Sequence, residues 1–245
     1  MADSLFQILN ISQQDMLSRL LDLDVTSNNV ANINTIGFKR NRANFQELLQ
    51  QKQQSGVYMQ PTQILPDQGS MTTTTNPLDL SITGEGYFQV RLPGGGTGYT
   101  RDGRFSLDAS HRIVNANGYP LVWQGQIPAD SEEVQVQANG FVFSRVGNTW
   151  TQVGTIQVAN FLNPTALQID GSNTYLATPA SGTARIGVPG TTNLGQIKSY
   201  TVEQSNVNMA NEMTHMIQLQ RSFQIASKTF QQTDTMISEA IEMRR

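Results

Sequence analysis

Both ends of the chain carry apolar stripes at heptad spacing, and no other feature constrains the fold as strongly. Near the C-terminus the stripe advances by alternating three- and four-residue steps, the spacing of one face of a long helix. Its positions are Met209, Glu212, Met216, Leu219, Phe223, Ala226, Phe230, Thr233, Ile237 and Ala240. This C-terminal stripe predicts a partner surface, because water opposes the exposure of so many apolar side chains.

The N-terminal stripe repeats these steps but is interrupted by two polar residues, Gln13 and Ser27. Its positions are Leu9, Gln13, Met16, Leu20, Leu23, Ser27 and Val30. Each large apolar side chain contributes about 1.5–3 kcal/mol when it is buried. We therefore expect the two terminal helices to pair as a coiled-coil unit or to pack against neighbouring copies of the chain.

The middle of the chain, from about Thr72 to Ser199, instead has short runs in which apolar and polar residues alternate. Leu78–Ile82, Tyr87–Leu92 and Val134–Val136 are examples. Turn dipeptides separate such runs, at Asp102-Gly103, Asn117-Gly118 and Asn139-Gly140. The pattern predicts an irregular, antiparallel all-β domain, so that the whole chain has the α+β fold class.

The helical patterns extend over about 4–34 and from about 206 to the end of the chain. A short additional helix is expected within 38–54, before Pro61 and Pro66 prevent continuous helix. The predicted domains are a terminal helical unit of 1–35 plus 205–245, a connector of 36–71, and a β-rich outer domain of 72–204.

Composition excludes several classes of function. The net charge is −3 and the only basic cluster is Lys39, Arg40 and Arg42, which argues against nucleic-acid binding. With no cysteine and only two histidines, we expect no disulfide, no metal site and no cofactor. No apolar run approaches the ~20 residues needed to cross a bilayer, so no membrane insertion is expected. The first residues lack the features of a cleaved signal peptide.

Motifs that resemble ligand or catalytic sites have simpler interpretations. The Gly-rich run 94–98 lacks the Lys-Ser or Lys-Thr of a phosphate-binding loop, so we expect a hairpin loop. The Gly84-Glu85-Gly86 run precedes a strand-like segment rather than a helix, which favours a turn. Asp102, Asp108 and His111 have no accompanying nucleophile motif. The chain is therefore not expected to be an enzyme.

Polar residues at the end of the first helix have a structural explanation. Asn28, Asn29 and Asn32 are able to satisfy backbone groups where the helix terminates, and Gly37 permits the turn that follows. Simple helix termination explains the asparagines equally well.

Charged residues on the predicted helices are expected at the surface. Asp22 and Asp24 lack the loop pattern of a calcium site, so we expect a solvated face. His215 precedes the stripe position Met216 by one residue, which favours a boundary or surface location.

Five segments resemble bacterial flagellar rod, hook and hook-associated axial proteins, in order along nearly the whole chain. They are Ser27–Arg40, Leu78–Val90, Tyr99–Phe105, Val202–Met213 and Met216–Phe223. The last two are especially similar to distal-rod members of this family.

The resemblance implies a structural subunit of the flagellar rod, exported through the flagellum-specific secretion channel and located in the periplasmic part of the basal body. It implies a helical homo-oligomer that transmits motor torque to the hook. It also implies contacts with other rod and hook proteins and with the surrounding outer-membrane and peptidoglycan ring proteins. The terminal helices would form the inner tube wall and the β domain the outer layer.

The expected subunit-interface residues combine stripe positions with residues at the end of the first helix. They are Leu9, Met16, Leu20, Leu23, Val30, Asn28, Asn29, Asn32, Gly37, Phe38, Met209, Met216, Leu219, Phe223, Phe230 and Ile237.

Alternative functions remain at this point. The connector between Leu49 and Gly69 is shorter than in distal-rod members, so a proximal rod or hook-type axial protein is also consistent with the resemblance. A periplasmic hydrolase would need a convergent catalytic set, which the sequence does not show. A β-rich adhesin or tail-fibre-like binder would share the middle of the chain but would not explain the two heptad stripes.

Overall fold

A computed structural model describes residues 2–47, 57–191 and 193–242 of the chain. In chain order, the long helix α1 (Ala2–Ala31) is followed by a β-rich middle and then by the long helix α2 (Met209–Glu242). The α+β class expected from the two periodicities is therefore confirmed.

The ends of the helices have local causes. Helix α1 stops at Ala31, three residues before the expected end, because the asparagine-rich segment that follows turns instead. Helix α2 starts at Met209 rather than at about 206. The Asn208 side chain accepts the Asn211 backbone N–H at 3.2 Å and so caps the first turn.

Strands β1 to β18 lie between the helices. The first nine are β1 (Asn41–Glu47), β2 (Val57–Ile64), β3 (Met71–Thr73), β4 (Leu80–Thr83), β5 (Phe88–Arg91), β6 (Thr97–Thr100), β7 (Phe105–Leu107), β8 (Ile113–Asn115) and β9 (Gln124–Gly125). The others are β10 (Glu133–Val136), β11 (Phe141–Val146), β12 (Thr149–Thr155), β13 (Val158–Asn160), β14 (Gln168–Gly171), β15 (Thr174–Leu176), β16 (Arg185–Gly187), β17 (Gln196–Ser199) and β18 (Thr201–Glu203). A single 3₁₀ turn, Pro164–Ala166, precedes β14.

The strands form small sheets rather than one continuous layer. Two sheets have four strands, in the orders β10-β11-β12-β9 and β14-β15-β6-β5. The pairs β1-β2, β13-β16, β17-β4, β18-β3 and β7-β8 are two-stranded. Each pairing whose register is described is antiparallel, as the sequence predicted.

The expected short helix within 38–54 is wrong where the structure describes that segment. Asn41–Glu47 is strand β1, and it pairs with β2. In a two-stranded sheet both strands are edges, which is where a proline such as Pro61 in β2 is tolerated. Leu48 and Leu49 lie outside the described residues.

Two apolar clusters form the β core. The larger joins several strands and includes Phe88 and Phe105, whose rings meet edge to face at 5.2 Å between centroids. The smaller is aromatic and contains Tyr87, Tyr99 and Phe161. Burial of these side chains supplies the main driving force for folding of this region.

The expected turns are mostly present. The Gly-rich run 94–98 closes the β5–β6 hairpin, and Gly118 and Gly140 have left-handed backbone angles. Asp102-Gly103 is different, because Gly103 lies directly against the backbone of Leu80. A Cβ at this glycine would lie 1.5 Å from the Leu80 carbonyl oxygen, so close packing rather than a turn requires it.

The chain divides into two compact units. The helix unit comprises 1–31, 41–63 and 207–245, and the β unit comprises 32–40 and 64–206. The finer three-part division predicted from the sequence stays a prediction.

Candidate functional site

Three charged side chains are buried together in the β unit and form what we call the ion cluster: Lys39, Arg101 and Glu203. None is more than 5% exposed. The Lys39 ammonium donates to Glu203 Oε1 at 2.6 Å, and the Arg101 guanidinium donates to Glu203 Oε2 at 3.2 Å. One carboxylate therefore joins residues that are far apart in the sequence.

The backbone completes the coordination of Lys39 and Glu203. Lys39 Nζ also donates to the Asp67 carbonyl at 2.7 Å, and the Gly69 N–H donates to Glu203 Oε1 at 2.9 Å. Buried charges need such partners, because the interior does not solvate them.

Backbone carbonyls at the end of strand β4 and an aromatic ring also contact Arg101. Its guanidinium donates to the carbonyls of Ile82 at 3.2 Å and Gly84 at 2.8 Å. It also lies 5.3 Å from the centroid of the Tyr87 ring, in a cation–π arrangement.

The electrostatics of the ion cluster are unbalanced, since two cationic groups face one carboxylate. Burial lowers the pKa of the Lys39 ammonium below its ordinary value, while the Glu203 carboxylate opposes this shift. Burial also raises the pKa of the Tyr87 hydroxyl. Removal of Glu203 would leave both cations buried without their shared counter-ion, which makes this residue the centre of the cluster.

The turn around Gly37 brings the loop after α1 to strand β18. The Gly37 N–H donates to the Glu203 backbone carbonyl at 2.7 Å. Gly37 has φ of +69°, and a Cβ there would lie 2.4 Å from the backbone of Arg101. Both the dihedral angle and the space therefore require glycine.

The side chain of Asn206, just before α2, forms hydrogen bonds with the backbone of two other segments. Its Oδ1 accepts the Arg40 N–H at 2.7 Å, and its Nδ2 donates to the carbonyls of Leu65 at 3.0 Å and Asp67 at 2.9 Å. The buried residue Phe38 accepts the Asn206 N–H at 3.4 Å. The segments next to both helices are thus fastened inside the β unit.

The helix unit has its own polar contact, which we call the helix clasp. The Asn29 amide exchanges two hydrogen bonds with the Asn41 backbone, each of 2.9 Å, and also donates to Glu212 Oε2 at 3.3 Å. Both Asn29 and Glu212 are buried. The clasp joins α1, β1 and the first turn of α2.

A second contact between the helices shows their direction. His215 Nε2 lies 3.3 Å from the Asp22 carboxylate. Because Asp22 precedes Asn29 whereas His215 follows Glu212, the helices are antiparallel at this contact. The expectation of a solvated Asp22 is wrong, since its side chain is half-buried against α2. His215 lies at the surface, as expected, and Asp24 is exposed.

The predicted interface residues on α2 mostly follow the expected face. Leu219 is buried and Met209 is exposed. Half-buried positions are Met216, Phe223, Phe230 and Ile237. The C-terminal stripe thus occupies the less exposed side of α2, although its role between copies stays a prediction.

The predicted positions on α1 are more mixed. Half-buried residues are Met16, Leu23 and Val30, whereas Leu20 is exposed and the Leu9 side chain lies outside the described residues. Among the described side chains of 13–31, Thr26 and Asn29 are the buried ones. A polar contact surface centred on these two residues therefore differs from the apolar stripe that the spacing suggested.

The asparagines and the turn residues also differ in burial. Asn29 is buried, Asn32 half-buried and Asn28 exposed. Gly37 and Phe38 are both buried in the β unit.

Sequence reasoning did not identify the ion cluster. The sequence does contain one indication of buried charge. Charged residues are few in this chain, yet Lys39, Arg101 and Glu203 lie inside the motif segments, close to apolar or aromatic residues. Nothing local, however, indicates that these three charges pair with one another.

The acidic residues considered for catalysis have structural partners instead. Asp102 and Asp108 form salt bridges with Arg104 and Arg112. Hydrogen bonds from Arg112, chiefly from its backbone N–H, hold the pKa of Asp108 below its ordinary value. Across 2–47, 57–191 and 193–242, no three His, Asp or Glu side chains are grouped to hold a metal ion. Nor does that part of the chain contain a helix able to span a membrane.

Three family models match segments that supply one ion-cluster residue each. "Flagella basal body rod protein" matches 19–39, which includes Lys39. "Flagellar hook protein FlgE/F/G D1 domain" matches 81–144, which includes Arg101. "Flagellar basal body rod FlgEFG protein C-terminal" matches 198–243, which includes Glu203.

Relatives that match over more than nine-tenths of their own length are also flagellar basal-body rod proteins. The flagellar basal-body rod protein FlgG of Caulobacter vibrioides is 37% identical over 261 residues, covering 97% of this chain and 99% of the relative. FlgG of Bacillus subtilis is 33% identical and covers 91% of this chain and 93% of its own length. FlgF of Mesorhizobium japonicum is 31% identical, covering 99% of this chain and 98% of the relative.

Proposed function

The chain belongs to the family of flagellar basal-body rod proteins, and from that premise we propose that its copies polymerise into a helical tube that crosses the periplasm and transmits motor torque to the hook. It is a structural subunit of the flagellar rod. No enzymatic role is part of this proposal.

The ion cluster is the observation that supports a load-bearing role. Lys39 belongs to the segment that follows α1, and Glu203 belongs to the strand that precedes α2. Their contact at 2.6 Å anchors both segments in the β unit, together with Arg101. A subunit that carries torque needs its chain ends fastened to its globular part, because a loose segment would absorb the load.

The terminal helices are proposed to form the inner wall of this tube. We propose that they pair there as coiled coils, with the half-buried faces of α1 and α2 tightened by contact with neighbouring copies. The apolar residues on these faces suit such packing, since they are incompletely covered in one chain.

Two positions along the rod are candidates. A distal-rod role is favoured by the FlgG relatives, and we propose it first. A proximal-rod role is the second candidate, because the connector between Leu49 and Gly69 is shorter than in distal-rod members. Export through the flagellum-specific channel, and contact with other rod and hook proteins and with ring proteins, are proposed for either position.

Assembly is the property that tests this function. The purified chain is concentrated and viewed by negative-stain electron microscopy, beside Glu203→Gln and the exposed-site control Glu132→Gln. We expect straight tubes from the wild type and the control, and loss of tubes from Glu203→Gln. Absence of any polymer from the wild type, or flexible and supercoiled tubes, would count against a rod subunit.

A further inference from the structure

Helix α2 has a second apolar face that its contact with α1 does not use. Four large apolar side chains are between 48% and 66% exposed: Met213, Ile217, Ile225 and Met236. At about 100° per residue, Ile225 lies about 160° around the helix from the half-buried Phe223. The second face therefore points away from the side that carries Phe223 and Leu219.

Basic residues lie within this second face of α2. Arg221 is exposed and stands one helical turn from both Ile217 and Ile225. Lys228 is also exposed, one turn beyond Ile225. From Met213 to Lys228, the outer face of α2 thus combines apolar and positively charged side chains, whereas the exposed Glu239 lies farther along the same face.

Helix α1 has an outer face of the opposite charge. Leu17 and Leu20 are 57% and 47% exposed, and Asp24 is exposed one turn beyond Leu20. Asp24 lies about 160° around the helix from Asp22, which contacts α2. The outer face of α1 therefore combines apolar and negatively charged side chains.

These two outer faces are unable to meet within one chain. The antiparallel contact through Asp22–His215 and Asn29–Glu212 occupies the inner sides of both helices, so their outer faces point in opposite directions. Each outer face is complementary to the other in charge and similar in its apolar character. A contact between them requires two copies of the chain.

We propose that the outer face of α1 in one copy docks on the outer face of α2 in a second copy, with Asp24 paired to Arg221. This inference rests on the proposed function and specifies its interface. The surfaces in contact are unlike, so the contact is heterologous and leaves a free face at each end. Repetition of one such contact extends the assembly without closing it.

Cysteine cross-linking tests which faces meet. Copies along one tube keep the antiparallel direction of α1 and α2, so an Asp24–Arg221 pair places Leu20 opposite Ile225. The chain has no native cysteine, so Leu20→Cys and Ile225→Cys give single-thiol variants on a clean background. The two variants carry tags of different size, are mixed in equal amounts under assembly conditions, and are oxidised. We expect the mixed dimer to exceed each same-variant dimer about tenfold, since a disulfide forms only where Cα atoms come within about 7 Å. Asp130→Cys mixed with Ile225→Cys is the control.

Charge reversal tests the proposed pair independently. Asp24→Arg and Arg221→Asp should each raise the critical concentration for assembly about tenfold, and the double variant should restore it. Asp130→Arg, on an exposed residue of the β unit, is the matched control. Circular dichroism of the monomers checks that each variant keeps its helices.

The outcomes separate the inference from the proposed function. Wild-type polymer without the mixed cross-link, or with equal amounts of same-variant dimers, would overturn the interface and leave the rod function intact. A double variant no better than the single ones would overturn the Asp24–Arg221 pair. Failure of the wild type to polymerise would overturn both proposals.

Discussion

The β unit and the helix unit differ in where they place charged side chains and large apolar side chains. In the β unit, three charged side chains are buried and bond to one another and to backbone groups, and the main apolar cluster is covered. In the helix unit, several large apolar side chains on α1 and α2 remain exposed while polar residues occupy part of the helix contact. The charges of the ion cluster are therefore paired within one chain, whereas the exposed apolar faces of α1 and α2 suit further partners. The β unit also has exposed apolar side chains, of which Leu162 at 78% is the most exposed.

This contrast has a thermodynamic consequence. Each exposed apolar side chain on the helices would gain about 1.5–3 kcal/mol if an assembly buried it fully. Partners that bind only the folded state stabilise it by mass action. Stability of the helix unit should therefore rise with polymerisation.

The largest expected effect on stability is the difference between a longer and a shorter fragment of the β unit. A fragment of 32–206 keeps the whole ion cluster, whereas 72–199 lacks Lys39 and Glu203 but retains Arg101. We expect the longer fragment to fold and the shorter to lose at least about 5 kcal/mol of unfolding free energy. Both tryptophans, Trp123 and Trp150, lie in the β unit, so their fluorescence during urea unfolding reports on it. Equal midpoints would show that the cluster contributes little.

The next effect is that of a single substitution, Glu203→Ala. It leaves Lys39 and Arg101 buried without a shared carboxylate and should lower the unfolding free energy by about 3–5 kcal/mol. Tryptophan fluorescence in urea measures the change. The control Glu132→Ala removes a carboxylate that is 59% exposed, and we expect a loss below about 1 kcal/mol. Similar losses from both variants would contradict the assigned role of burial.

Phe223→Asp tests the helix unit instead. A charge on the half-buried side of α2 should cost about 2–3 kcal/mol in that unit and prevent tubes from forming, while the tryptophan transition stays unchanged. Gln220→Asp, at an exposed position between the half-buried face and the outer face of α2, is the control. Tubes from Phe223→Asp that match the wild type in electron micrographs would remove this face from the interface.

The smallest effect is expected at the helix clasp. Asn29→Ala removes the amide that bonds Asn41 and Glu212, and should lower the stability of the helix unit by about 1–2 kcal/mol. Thermal unfolding followed by circular dichroism at helix wavelengths measures this loss. Ser27→Ala, two residues earlier and exposed, should change stability by less than about 0.5 kcal/mol. If the two variants melt alike, the clasp does not determine the stability of the helix pair.

The spacing of apolar residues predicted the described helices and strands well where neighbouring residues alone decide the secondary structure. Heptad spacing indicated both helices, with ends within about three residues, and alternation indicated the antiparallel strands. The same reasoning failed for Asn41–Glu47, which forms a strand because a pairing partner, β2, exists elsewhere in the chain. It failed for Asp102-Gly103 because the close approach of Leu80 is not a local property.

The sequence by itself determined the α+β class, the placement of one long helix on each side of a β-rich middle and, through its motifs, its relation to flagellar axial proteins. Only the tertiary structure decided that Lys39, Arg101 and Glu203 form one cluster, and that Asp22 and Asn29 face α2. The reason is physical: backbone periodicity is set by neighbouring residues, whereas the partner of a buried charge is set by which distant segments the fold brings together.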